Sequence, residues 1–121
     1  GLLAYSPLAQ GTLTGKYLGG QMPQGSRLAL FGDGPLMMRY KGDKTQQAIE
    51  MYVNLAKKYE IDPAQLAIQF CNIQPFVTST IIGATTMEQL KTCIDSVDLD
   101  ITKEIMNEIR GIHKEIPNPA P

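Results

Sequence analysis

The sequence has no tryptophan, only one histidine and only two cysteines. With one histidine and scattered carboxylates, no cluster of metal-ligand spacing is available, so a zinc site is not expected. Cys71 and Cys93 are far apart and form no Cys-x-x-Cys pair. They read as two reduced core thiols rather than a disulfide or a metal pair. Charge of either sign is scarce in excess: 11 Lys and Arg stand against 12 Asp and Glu, a net charge of -1. No basic field is available to hold nucleic acid or an acidic membrane surface. No apolar run approaches the roughly 18 residues that a membrane span needs. No signal-peptide pattern is visible, so a cytoplasmic setting is expected.

What is present is a chain that is 43% hydrophobic over 121 residues, enough for one small core and too apolar for a disordered tail. Leu2 to Tyr5 is an apolar run closed by Ser6-Pro7, the pattern of a buried parallel strand. A chain that opens on a core strand points to a piece of something longer. From Gly11 to Pro35 glycine and proline are dense, which predicts a long excursion with little regular structure. Ala48, Tyr52, Leu55 and Tyr59 then recur at helical spacing, predicting an amphipathic helix over about residues 45–60. Asp62-Pro63-Ala64-Gln65 restarts a helix, with Asp62 as N-cap, Pro63 in the first turn and Gln65 at the capping-box position. Phe76 to Ile82 is rich in β-branched residues and reads as a second buried strand. Thr85 or Thr86 caps a third helix, since Glu88 and Gln89 each lie three residues after one of them. A fourth helix spans 102–115, with Ile105, Met106, Ile109 and Ile112 inward, before the proline-rich end Ile116-Pro117-Asn118-Pro119-Ala120-Pro121.

This alternation is that of parallel α/β proteins. Two strands are too few to make a covered parallel sheet, and both would carry bare edges that invite pairing with another chain. Self-association into a homo-oligomer is one expected consequence.

Two segments carry candidate chemistry. The second strand runs into Gly83-Ala84 and then a helix start, where unpaired N–H groups and the positive end of the helix dipole favour an anion. An ordinary βα turn with a capped helix accounts for the same residues. In the first segment Ser6 offers a hydroxyl at the carboxyl end of a strand, and Gly11 and Gly15 allow tight turns. Lys16 and Arg27 could meet phosphates. A solvated glycine-rich loop explains those residues equally simply. Phe31, Met37 and Met38 could cover a ligand or be exposed loop packing.

Taken together, Tyr5-Ser6-Pro7-Leu8-Ala9-Gln10-Gly11-Thr12-Leu13-Thr14-Gly15-Lys16-Tyr17 and Ile81-Ile82-Gly83-Ala84-Thr85-Thr86-Met87-Glu88-Gln89-Leu90 resemble the aldo-keto reductase family. The motifs are most similar to its Tas-like bacterial branch, and the β subunits of voltage-gated potassium channels share them. The resemblance implies a (β/α)8 TIM barrel, of which this chain would be the carboxy-terminal part, holding the seventh and eighth strands and their helices as one domain piece over residues 1–121. It implies NADP(H) held without a Gly-x-Gly-x-x-Gly fingerprint, which is indeed missing from the sequence. By the same resemblance Tyr5 would lie beside the nicotinamide ring. Ser6, Pro7, Leu8, Ala9 and Gln10 would line the pyrophosphate and ribose, with Lys16 and Arg27 on phosphate. Gly83, Thr85 and Gln89 would surround the adenosine 2′-phosphate and adenine. Thr92 and Cys93 stand where relatives often place Glu and Asn, and the Arg or Lys that the classical branch carries near Thr85-Thr86 is missing.

The family reduces small carbonyl substrates, aldehydes or ketones, with a catalytic Tyr, Lys, Asp and His on earlier strands. None of those motifs occurs here, so the chain alone is expected to be inactive. His113 reads as a structural or solvated histidine. The alternative reading of the whole protein is a cofactor-binding regulatory subunit like those of the channels.

Overall fold

The computed structural model describes residues 1–32 and 34–121. Strand β1 (Leu2–Tyr5) leads through short 3-10 turns to two short helices, α1 (Arg27–Phe31) and α2 (Pro35–Met38). Helices α3 (Asp43–Lys58) and α4 (Pro63–Asn72) follow, then strand β2 (Val77–Ile81), α5 (Met87–Asp95) and α6 (Lys103–Glu115). The strands pair in parallel, with Ala4 opposite Thr80 and Tyr5 opposite Ile81, and an irregularity between Leu2 and Leu3.

The helix boundaries follow local chemistry. Asp62 Oδ1 accepts from the N–H groups of Ala64 and Gln65 at 2.7 and 3.2 Å, and Pro63 takes the first helical position. Gln65 does not close the expected capping box. Its side-chain amide instead donates to the Thr92 carbonyl at 3.3 Å, tying α4 to α5. Thr86 and Thr102 cap α5 and α6 by accepting from Gln89 N–H and Ile105 N–H.

The core lies between helices rather than under the sheet. Leu55 and Ala56 of α3, Leu66 of α4, and Ile105, Ile109 and Ile112 of α6 form one buried cluster, flanked by Tyr52, Tyr59, Leu99 and Ile101. Met106 is half-buried. The buried Gln69 side chain donates to the Leu99 carbonyl at 3.0 Å, which satisfies its amide inside the apolar surround.

Two expectations are corrected. Both strands form, but neither is buried: Leu2, Leu3, Tyr5 and Ile81 are all exposed, Tyr5 to 74%. The cause is the number of layers. Helix α4 packs on β2, and among the described residues the sheet has two strands, too few to be covered on all sides. The stretch between β1 and α3 is also more regular than its glycine and proline content predicts. Ser26 caps α1 by accepting from Ala29 N–H at 3.3 Å, and Gly34-Pro35 begins α2 with proline in the first turn. Met37 is buried, whereas Phe31 and Met38 are exposed. Proline and glycine here punctuate helices rather than exclude them.

At the surface of the core, the Glu108 carboxylate of α6 accepts from Lys58 Nζ at 2.7 Å and from the Tyr59 hydroxyl. The Lys58 bond first, and then the Tyr59 bond, hold the Glu108 carboxyl below the usual carboxylate range. The bond to Glu108, followed by burial, pushes the Tyr59 phenol well above its ordinary value. Ile109→Ala should cost about 2–5 kcal/mol of stability, read from the urea midpoint, because the cavity falls in the middle of the cluster. The Glu108 contribution has a definite sign. A depressed carboxyl stabilises the fold above its unfolded value, about 4.3, and that contribution is lost as pH falls through the folded value. Urea midpoints taken from pH 6 down to pH 3 should therefore decline less steeply in Glu108→Gln than in the wild type.

Candidate functional site

Parallel pairing decides where the site can be. With Tyr5 and Ile81 in register, β1 and β2 end together. Ser6-Pro7 and Ile82-Gly83 therefore leave the sheet from one edge. In open and closed parallel sheets this carboxyl edge is where ligands bind, because the loops there are free to vary while the strands hold them.

The loop after β1 is strained and tightly knotted. Ser6, Ala9 and Gln10 take φ of 57°, 48° and 60°, in the left-handed region, followed by Gly11 at 91°. A non-glycine residue there costs about 1–2 kcal/mol, so three within five positions need compensation. Local hydrogen bonds supply it. Ala9 N–H donates to Ser6 O and Gly11 N–H to Leu8 O, both at 2.9 Å. The hydroxyls of Thr12 and Thr14 donate to Ala9 O and Gly11 O, both at 2.8 Å. Thr12 is buried, so the knot is anchored in the protein. Strain of this kind clusters where backbone must be held in an otherwise unfavourable shape for a ligand.

Side chains far apart in sequence meet over this loop. Gln10 Nε2 donates to Ser6 Oγ at 3.4 Å, and Arg27 Nη1 donates to Gln10 Oε1. Arg27 is the first residue of α1, so a short helix brings its guanidinium back onto the strand-end loop from 17 residues away. The buried Tyr17 holds that helix from the other side, its hydroxyl accepting from Leu28 N–H at 3.4 Å. Lys16 Nζ lies 5.1 Å from the centre of the Tyr17 ring. A methyl added at Gly11 would sit 3.1 Å from both Lys16 Cε and Nζ, so the ammonium folds over the glycine turn. Of the residues singled out from sequence, Ser6, Gln10, Lys16 and Arg27 thus share one neighbourhood. Pro7, Leu8 and Ala9 form its half-buried backbone.

The loop after β2 is open. Nothing lies within 4 Å of a methyl added at Gly83, so the backbone there is accessible from outside. Thr85 donates from both N–H and Oγ1 to Gln89 Oε1, at 3.0 and 3.1 Å, folding Gln89 back over the loop. Gly83, Thr85 and Gln89 are all exposed around the start of α5. Thr92 is half-buried a turn further on, its carbonyl accepting from Gln65. Cys93 is buried at 5% exposure, and burial first, then the charge of Asp62, raises its thiol pKa. Tyr5 projects from the strand end and is exposed. Two loops, two cations, one open glycine turn and one helix start therefore face a common edge. Such a surface can hold an extended anion along its backbone amides and cationic side chains.

The sequence profile of the Aldo/keto reductase family matches residues 1–114. The chain belongs to the aldo/keto reductase family. It is 49% identical over 120 residues to Protein tas of Escherichia coli, covering 99% of this chain and 34% of that protein. It is 35% identical to a probable voltage-gated potassium channel subunit beta of Oryza sativa, covering 97% of this chain and 36% of that one. An L-glyceraldehyde 3-phosphate reductase of Escherichia coli is 33% identical over 81% of this chain and 29% of its own length. The chain spans about a third of the length of the first two of these relatives. In an aldo/keto reductase the two loops described above would therefore be one part of a larger ligand surface.

Three features of this aldo/keto reductase family chain were not legible in its sequence. The Gln10–Arg27 contact joins positions with no periodic relation. The left-handed backbone at Ser6, Ala9 and Gln10 falls on residues that give no signal of it, unlike Gly11 beside them. Tyr17 looks like the end of a motif but acts as the internal prop of α1. Substitution tests the strain directly. Gly11→Ala should lose about 1–2 kcal/mol, because its φ of 91° suits glycine alone. Ala9→Gly should be neutral to slightly stabilising, because relief of about 1–2 kcal/mol of strain matches or exceeds the roughly 0.5–1 kcal/mol entropic cost of glycine. Equal losses at the two positions, measured by urea denaturation, would rule out a strained loop.

Proposed function

We propose that this chain is the carboxy-terminal, cofactor-holding part of an NADP(H)-dependent aldo/keto reductase barrel, contributing its seventh and eighth strands. The observation that carries the reading is the convergence of Ser6, Gln10, Lys16 and Arg27 at the end of β1, beside the open Gly83 turn at the end of β2.

The residues present fit the group. A dinucleotide needs positive charge and backbone amides at its phosphates, a platform at its reactive ring and a polar pocket at its adenosine end. Arg27 and Lys16 supply the charge over a loop whose backbone is held in the left-handed conformation. Ser6 to Gln10 line the pyrophosphate and ribose. The exposed Tyr5 ring, at the strand end, supplies the platform against which the nicotinamide is oriented. Gly83, Thr85 and Gln89 surround the adenosine 2′-phosphate and adenine, with Thr92 and Cys93 on the helix beyond. When bound, the nicotinamide supplies hydride to the carbonyl carbon of an aldehyde or ketone. The chain's own part is to bind and orient, and the proton donor lies in the part of the barrel that precedes it. Alone, this chain is without turnover.

A second reading is a cofactor-binding regulatory subunit. It is favoured by the 35% identity to the probable channel subunit over 97% of this chain. The two readings share this site and differ in the residues that precede it, where an intact Tyr, Lys, Asp and His set favours the reductase.

Titration of the chain with NADPH and with NADH, followed by nucleotide fluorescence, tests the site. NADPH should bind, and Arg27→Ala should weaken it by roughly tenfold or more, the loss of a charge-assisted contact worth about 1.5–3 kcal/mol. The affinity should also fall with added salt. Absence of binding to either nucleotide, or an Arg27→Ala variant that binds as well as the wild type, would sink the assignment.

A further inference from the structure

The proline-rich segment that follows α6 is not loose. Ile116 is buried, and Ile116, Pro117 and Asn118 form a shallow groove with Lys44 and Gln47, so the segment crosses the first turn of α3. Two polar contacts fasten it further on. The hydroxyl of Thr45, buried to 3% exposure, bonds to the Pro119 carbonyl, and Arg39 Nη2 donates to the Ala120 carbonyl at 2.6 Å. Proline has no N–H and cannot continue a helix or a ladder, so Pro117, Pro119 and Pro121 leave the segment's carbonyls free to act as acceptors for other elements.

Both donors stand where α2 ends and α3 begins. That junction is also gripped from α3, since Thr45 Oγ1 lies 3.4 Å from the Arg39 carbonyl and Gln46 Nε2 donates to the Tyr40 carbonyl at 2.6 Å. From the junction the linkage runs inward. Met37 buries α2, and Gly34 N–H donates to Phe31 O at 3.1 Å, joining α2 to α1. Helix α1 begins at Arg27. The helices that carry the Arg27 guanidinium therefore have two supports: Tyr17 against Leu28, and the segment 116–121 against Arg39 and Thr45.

We propose that residues 116–121 are a strap, and that Arg39 and Thr45 are positioning residues which, through it, hold α2 and α1 down over the site and slow the release of what binds beneath Arg27. The release part rests on the cofactor reading above; the strap itself does not. The polar links between the strap and the junction are the side-chain to carbonyl bonds of Arg39 and Thr45. Removing them should loosen the junction without disturbing the core cluster.

The test uses the full chain with Arg39→Ala, and with Arg39→Ala combined with Thr45→Val. Arg39 is exposed, so the single variant keeps the fold if the buried Thr45 proves intolerant. Amide hydrogen exchange should accelerate at residues 35–41 by roughly five- to tenfold for the loss of one hydrogen bond and more for two. Stopped-flow fluorescence should show NADPH leaving faster by a similar factor, with an unchanged association rate. A purely structural role for Arg39 would not produce that split. Unchanged exchange at 35–41, with 116–121 alone exchanging faster, overturns the strap. Faster exchange with unaltered NADPH release overturns its control of the ligand. If the wild type binds no NADPH, the cofactor reading fails by itself and exchange alone decides the strap.

Discussion

The parallel pairing of Leu2–Tyr5 with Val77–Ile81 is the constraint on which everything else depends. Parallel strands cannot be joined by a tight turn, so the chain between them must cross from one end of the sheet to the other. That crossing supplies α3 and α4, the helices that, with α6, hold the core. It also forces both loops of interest to the same edge. A one-residue slip of β2 would move Gly83 away from Ser6 and turn every strand side chain to the opposite face. The site is thus a product of register, and the register is held by a strand pair that is itself half uncovered.

The core cluster and the strand-end loops are held by different mixtures of contacts. The tight apolar cluster lies between α3, α4 and α6, and its Ala56 is fully buried. The loops after β1 and β2 add polar contacts: threonine hydroxyls on carbonyls, a glutamine between a serine and an arginine, a glutamine folded over a threonine, while Gly15 of the first loop also lies against Val53 of α3. Each such bond contributes only about 0.5–1.5 kcal/mol net. Such bonds fix the shape of a loop, and they cannot replace a core.

How much of this was readable beforehand follows from the range of each interaction. The caps Asp62, Thr86 and Thr102 act within three residues, and all three were visible as motifs or helix starts. Helix α6 was legible because Ile105, Ile109 and Ile112 repeat at the helical period. The strands were legible as apolar runs, but their burial was not, because burial depends on what lies above a sheet rather than on the strand. The helices α1 and α2 were hidden by glycine and proline, which mark helix ends as often as loops. The site residues came from motifs, yet their meeting did not. Gln10 reaching Arg27, and Ala120 reaching Arg39, are contacts across sequence separations that no local pattern encodes.

The exposed apolar edge bears on both readings of the whole protein. Leu2, Leu3, Tyr5, Phe76 and Ile81 together leave more apolar surface open around two strands than a covered parallel sheet would. Within a barrel the same residues would face neighbouring strands and the interior, and their types suit that setting. The chain spans about a third of Protein tas and of the probable channel subunit. In this arrangement the loops after β1 and β2 are already assembled on two strands before any further strand is considered. The arrangement of residues 5–17, Arg27 and 83–89 is set within this stretch, whereas closure of a barrel would depend on strand edges that the described residues leave unpaired.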